Sequence, residues 1–297
     1  MHHSRPHYVV ITPVRNEAGY IGNTIESMAR QTLSPRQWVI VDDGSTDGTG
    51  DMLEAASRNF AWVTTVRRPD RGFRKSGGGV VEAFYDGYSA LRESDWDFLV
   101  KLDGDVSFEP DYFERCLFLF GDDPTLGIAG GTICIMENGR LTVDSPGDPP
   151  FHVRGATKIY RTACWQQIQP LLPAPGWDTI DEVKANMRGW STRTFGHISL
   201  VQHRATGASD GEWRNWFKNG RANYVAGYHP AFMLAKCMKR IARRPRFVAA
   251  AALWAGFCSG YVLRQSRFAD DHAVRYLRQQ QIRFLTLQPS IYRSGQH

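Results

Sequence analysis

The sequence predicts an α/β protein: a mainly parallel central sheet flanked by helices, followed by a helical C-terminal extension. Three observations carry this. Between residues 8 and 105, short apolar runs alternate with stretches of helical periodicity. Each of the apolar runs that matter ends in a loop rich in carboxylates and turn formers. Beyond residue 205 the composition turns aromatic, apolar and basic.

Taken in order, YVVITPV (residues 8–14) reads as a first buried strand, broken at Pro13. Residues 18–31 then place Ile21, Ile25 and Met28 at helical spacing. Val39, Ile40 and Val41 form a second strand that runs into Asp42-Asp43-Gly44-Ser45, and Thr46 or Asp47 is the expected cap of the next helix. AWVTTVRRP is a third strand, and a helix is expected from about Gly77 to Arg92. Phe98, Leu99 and Val100 make a fourth strand, ending in Asp103-Gly104-Asp105. A β-α-β-α-β-α-β order implies right-handed crossovers, which bring the loops after the strands to one edge of the sheet. Open α/β sheets keep their ligand crevice at that edge.

Three such loops carry polar groups: Thr12 to Glu17, Asp42 to Asp47, and Asp103 to Asp105. Turn formation alone explains Asp and Gly, but it does not require a carboxylate after each strand. Crowded carboxylates repel unless a cation joins them, and hard oxygen donors suit Mg²⁺ or Mn²⁺ carrying a diphosphate. A dinucleotide-binding Rossmann domain is the nearest competitor, but the first strand leads into TPVRNEAG, which lacks G-x-G-x-x-G. After the third strand, Gly77-Gly78-Gly79 with Arg71, Arg74 and Lys75 offers a phosphate path.

Taken together and in this order, TPVRNE, VDDGSTDGT and KLDGD resemble the GT-A fold glycosyltransferases of family 2, over roughly residues 8–205. The resemblance implies a GT-A nucleotide-sugar-binding and catalytic domain over 1–205 and a mainly helical extension over 206–297. It implies that Thr12, Pro13, Val14 and Glu17 cradle the base of a nucleotide-diphosphate sugar donor and that Asp43 reads base or ribose. Lys75, with Arg71 in reserve, would support base or phosphates. Asp103 would bind ribose and, with Asp105, the diphosphate metal, Mn²⁺ or Mg²⁺. Some GT-A enzymes complete the metal shell with a late histidine, which points to His203; its plain alternative is a surface histidine at a strand end. Arg154 and Lys158 lie on the acceptor-side strand and would meet an anionic acceptor or the donor phosphates.

Family chemistry breaks the bond between the anomeric carbon and a diphosphate, so it needs an acceptor base on the opposite face of the sugar. The family pattern has Glu-Asp followed by about a dozen residues to a Gly-aromatic pair. Counting back from Gly189-Trp190 sets the base on Asp178, with Trp177 in place of the Glu. Asp181 and Glu182 form a second acidic pair nearby, and all three also suit a helix amino terminus, with Asp178 capping and Asp181 in capping-box position. Asp178 and Asp181 therefore both stand as catalytic candidates.

Composition narrows the class further. A hydrophobic content of 42% with 22% charged residues belongs to a folded chain. Five dispersed cysteines suit reduced thiols in a cytosol, and MHHSRPH has no apolar core to act as a secretory signal. Lys236, Lys239, Arg240, Arg243, Arg244 and Arg246 crowd together before the uncharged run of residues 247–263, which Arg264 and Arg267 close. That pattern suits either peripheral contact with a cytoplasmic membrane surface or a helix buried against the catalytic domain. Nucleic acid is not expected as a partner, since no binding module accompanies the charge. The expected activity is metal-dependent, inverting, single transfer of a sugar to a hydroxyl of a glycan or lipid-linked acceptor. The alternatives are a sugar-1-phosphate nucleotidyltransferase, for which TPVRNE lacks the glycines, and a non-catalytic nucleotide-sugar-binding protein.

Overall fold

A computed structural model describes residues 5–73, 77–137, 139–204, 211–241 and 246–293. The first half alternates as expected: β1 (Tyr8–Val14), α1 (Ile21–Ala29), β2 (Gln37–Asp42), α2 (Thr49–Asn59), β3 (Val63–Arg67), α3 (Gly78–Ser89) and β4 (Phe98–Leu102). There follow β5 (Val106–Phe108), α4 (Tyr112–Asp122), β6 (Leu126–Glu137), β7 (Arg140–Val143), β8 (Thr157–Arg161), α5 (Thr162–Ile168), α6 (Trp177–Met187) and β9 (Ser191–Gln202). The extension holds α7 (Glu212–Val225), α8 (Pro230–Ile241), α9 (Arg246–Val262) and α10 (Asp271–Leu285).

Neighbouring strands run β3-β2-β1-β4-β8-β6-β9-β5, with β7 paired to β6. The block β3-β2-β1-β4 is parallel throughout, with Val10 opposite Trp38 on one side and Val100 on the other. β8 then pairs antiparallel to β4 and β6, while β6 and β9 are parallel. β1 connects to β2 on one flank and has β4 on the other, so the direction of winding switches between β1 and β4. A crevice opens at the carboxyl ends of strands at such a switch. Both flanking loops, after Val14 and after Leu102, are the acidic ones.

The apolar runs are strands because both sheet faces are covered. Val10, Trp38, Ile40 and Val100 pack with α1, α2 and α4, and Val9, Ile11 and Leu99 pack with α3 and α5. A buried polar pair in this layer is satisfied: Trp38 Nε1 donates to Thr12 Oγ1 at 2.8 Å. A further cluster joins Phe151, Ile180 and Val183 to Tyr224, Phe232, Met233, Leu253, Phe257 and Leu277. The extension thus shares its core with α6. α7 and α9 lie in near backbone contact: a methyl on Gly256 would overlap Phe217 O, and one on Gly220 would overlap Leu253 O.

Two expected helix starts differ in detail. Gly48 (φ 89°), not Thr46 or Asp47, precedes α2, although Asp47 Oδ1 still accepts the Thr49 amide at 3.1 Å. Gly176 (φ 90°) precedes α6, so Asp178 lies inside its first turn and no capping box forms. The reason is that the Asp181 side chain is drawn into a buried ion pair.

Candidate active site

The first two loops are stitched together by their own polar side chains. Asn16 N donates to Ser45 Oγ (2.9 Å), Thr46 N to Asn16 Oδ1 (2.9 Å), Glu17 N to Thr49 Oγ1 (2.9 Å) and Ala18 N to Asp47 Oδ2 (3.1 Å). Asp42 Oδ1 accepts the Ser45 amide at 2.8 Å. Much of DDGSTDGT therefore builds the loop, while Asp43 faces charge at close range. Its carboxylate accepts from Arg68 Nη1 (2.6 Å) and Arg71 Nη1 (2.8 Å), and Arg71 Nη2 also bonds its second oxygen. Arg15 Nη1 donates to the Asp43 carbonyl.

Of the expected donor-cradle residues, Thr12 is fully buried with its hydroxyl on Trp38, and Val14 is core. Pro13 is half-buried. Glu17 is 7% exposed, and its Oε2 accepts from Arg204 Nη2 at 2.6 Å. Arg71 sits on Asp43, while Arg74 and Lys75 lie outside the described residues.

Asp103 and Asp105 leave the end of β4 with Gly104 between them. A methyl at Gly104 would overlap Val14 Cγ1 and come 3.2 Å from Ile21 Cδ1, so only glycine lets this turn press against β1. Lys101, buried in β4, reaches Asp103 Oδ1 and also donates to Gly155 O at 2.5 Å. Asp105 is 6% exposed, and burial together with the Asp103 carboxylate pushes it up to about 6. His203 donates its amide to Asp105 O (2.8 Å), with its ring Nε2 on Ser107 Oγ (2.8 Å); burial lowers its pKa, favouring the neutral imidazole. Among the described residues, no group of three or more His, Cys, Asp and Glu side chains is arranged to hold a metal ion.

The third wall is α6, where the structure separates the three acidic candidates. Asp181 is 1% exposed and accepts Lys158 Nζ at 2.7 and 2.9 Å and Tyr160 OH at 2.6 Å. Glu182 is fully buried, bonded to Lys158 Nζ (2.9 Å), Val153 N (2.6 Å) and His152 Nδ1 (2.9 Å). Burial opposes charge on His152, but Glu182, with Asp178 and Asp148 behind it, lifts the imidazole up to about 9. Lys158 is fully buried beneath these groups, which corrects the expectation that it meets an acceptor or donor phosphates.

Asp178 differs. Its carbonyl accepts Lys158 Nζ at 2.5 Å, which fixes the backbone. Its half-buried carboxylate makes no hydrogen bond or ion pair among the described residues. A Cβ built on Gly155 would lie 3.6 Å from Asp178 Oδ2, and Lys101 binds the Gly155 carbonyl, so the base candidate and the Asp103 turn share one support. Arg154, paired with Asp144, lies within electrostatic reach of both Asp178 and Asp103. Trp177 covers Lys101 (5.6 Å) and Lys158 (5.4 Å) with its ring, a cation-π role open to Trp and closed to Glu.

Sequence reasoning missed Arg15, Arg68 and Arg204. Arg68 and Arg204 each follow a strand end, but no periodicity reveals a partner 25 or 187 residues away.

Sheet order and acidic edge define a GT-A glycosyltransferase fold. The mannosyltransferase PcManGT from Pyrobaculum calidifontis, in complex with GDP-Man and Mn²⁺, superposes with a TM-score of 0.55 at 17% identity, over 87% of this chain and 76% of that one. S. aureus TarS 1-349 in complex with UDP-GlcNAc gives a TM-score of 0.51 at 15% identity, over 93% and 81%. The chain belongs to glycosyl transferase family 2, whose sequence profile matches residues 9–171. The chondroitin synthase of Pasteurella multocida is 31% identical over 124 residues, which is 42% of this chain and 12% of that protein. The chain thus spans far less than two thirds of that relative. The family is one of glycosyl rather than nucleotidyl transfer.

Proposed function

We propose that this chain transfers a sugar, with inversion, from a nucleotide-diphosphate sugar to a hydroxyl of a glycan or lipid-linked acceptor. The observation that carries this is the contrast among the acids of α6: Asp181 and Glu182 are consumed by Lys158, and Asp178 is left uncommitted beside the acidic turn. Asp178 is the general base and takes the acceptor proton as the new bond forms. Lys158, through the Asp178 carbonyl, positions it. Asp43 and the loop Thr12 to Glu17 hold the nucleoside. Neighbouring enzymes solved with GDP-Man or UDP-GlcNAc support a donor of this class.

The donor set fits Mn²⁺ or Mg²⁺. Two hard carboxylates meet at one turn, and Asp105 is poorly tolerated as an anion without a counter-charge. Asp103 and Asp105 would hold the ion, with neutral His203 beside them. A divalent ion there supplies Lewis-acid stabilisation of the departing diphosphate. Arg154 faces the same charge from the acceptor side. Domain division at residue 205, a cytoplasmic location and peripheral contact with a membrane belong to the same reading.

The test is Asp178→Asn. Nucleotide-sugar affinity is expected to stay unchanged while single-turnover transfer falls by about a hundredfold to ten-thousandfold. Normal transfer by Asp178→Asn, with loss in Asp181→Asn, would move the base one turn along α6.

A further inference from the structure

We infer that the outer faces of α8 and α9 form a seat for anionic lipid headgroups. This deepens the membrane contact proposed above by naming its surface, and it involves none of the crevice residues.

Charge is divided unevenly along the chain. Fifteen of the 36 Lys and Arg residues but only four of the 30 Asp and Glu fall within residues 206–297, so the extension is positive by eleven and the remainder negative by five. A surface helix normally turns one apolar face inward and a polar face outward. α9 does not. Leu253 and Phe257 are buried in the core shared with α6, yet Phe247 (70% exposed), Trp254 (36%) and Tyr261 (41%), spaced seven apart about a quarter turn round the helix, are apolar too, the last two leaning on Phe257 at 6.0 and 5.5 Å. Val262 (80%) and Leu263 (62%) continue the stripe. α8, packed against α9, repeats the pattern: Phe232, Met233 and Cys237 face inward, while Leu234, Met238 and Ile241 are exposed at i, i+4 and i+7.

Cations edge these stripes. Exposed Lys239 follows Met238, and exposed Arg264 follows Leu263. Arg267 lies over the rings of Tyr224 (4.6 Å) and Tyr261 (4.7 Å). Apolar side chains flanked by aromatics and long basic residues are the chemistry of helices lying in a bilayer interface. None of the described helices is long and apolar enough to cross one. The positive excess selects the occupant: it attracts an anionic lipid surface and repels a second copy of the same face. Ile180 and Val183 of α6 share the core with α8 and α9, so a seated extension would hold Asp178 at a fixed height above the lipid.

Sedimentation of the full chain with phosphatidylcholine vesicles, with and without added phosphatidylglycerol, tests this. Binding is expected only with phosphatidylglycerol and should fade as salt rises. Lys239→Gln and Arg264→Gln should each weaken it about fivefold. Val262→Glu with Leu263→Glu should abolish it, at exposed positions where circular dichroism can verify an unchanged fold. Failure to bind, equal binding to neutral vesicles, or variants that bind like the parent would each overturn the proposal. So would a concentration-dependent dimer removed by Val262→Glu with Leu263→Glu, which would assign the face to a second copy. No nucleotide sugar enters the assay, so its failure would leave the proposed transfer reaction standing, and loss of donor binding would leave the lipid seat standing.

Discussion

Asp105 ionises against its surroundings in the folded chain, and pH exposes that cost. Burial and Asp103 raise its carboxyl from 3.8 to about 6. A shift of that size penalises the ionised folded form by about 3 kcal/mol. With the folded pKa above the unfolded one, the contribution to stability is full below the unfolded value and lost as pH rises through about 6. Between pH 5 and pH 7 the metal-free chain should therefore lose about 1 kcal/mol from this group alone. A divalent ion competes with the proton, so its apparent affinity should rise about tenfold over the same interval. Calorimetry with Mn²⁺ and a nucleoside diphosphate reads the second effect, and thermal melts without metal read the first. Asp105→Asn keeps the shape and removes the charge. It should melt above the parent at pH 7 and bind Mn²⁺ weakly at every pH. Metal affinity that is flat with pH, or an Asn variant that keeps full affinity, would refute the reasoning.

Two further outcomes follow from packing. Lys158→Met strands Asp181 without a cation in the interior and leaves Glu182 with His152 alone, and should cost about 3–5 kcal/mol in urea unfolding; an unchanged midpoint would show that Asp181 is not sustained by Lys158. Gly104→Ala forces a methyl against Val14, and should cost about 1–3 kcal/mol while also weakening nucleotide binding, because the acidic turn must lift off β1. Parent-like stability and affinity in that variant would mean the turn is not held against β1 as described.

What the sequence disclosed was local. Val39-Ile40-Val41 and Phe98-Leu99-Val100 read as buried strands because nothing polar interrupts them, and Asp103-Gly104-Asp105 stood out because it ends such a run. Ser45, Asp47 and Thr49 were legible as loop chemistry, but not as fasteners for Asn16, Glu17 and Ala18, since spacing says nothing about which loop lies opposite. Lys158 looked like a charge available to substrate. Only the pairing of β8 with β4 and β6, with α6 across it, shows it buried under Asp181 and Glu182. That same fact separates Asp178 from its two acidic neighbours, which capping patterns had treated alike. In the extension, a basic and apolar composition signalled helices, but it could not say that α9 turns one apolar side inward and leaves another uncovered.

The position of β1 has a consequence for how the chain is made. Its flank toward β2 can be satisfied as soon as β2 is made, but its other flank pairs with β4, Tyr8 opposite Phe98 and Ile11 opposite Lys101. During synthesis, β1 therefore waits with one edge of backbone donors and acceptors unpaired, on a strand whose side chains are almost wholly apolar. Such an edge is a template for pairing with other chains, and a parallel partner ninety residues away is slow to arrive. Lys101, arriving on β4, brings a cation to the very strand that closes this edge. Nascent chains halted between β3 and β4 should thus be the form most in need of a chaperone, and a fragment ending before Phe98 should aggregate where one extended past β8 does not.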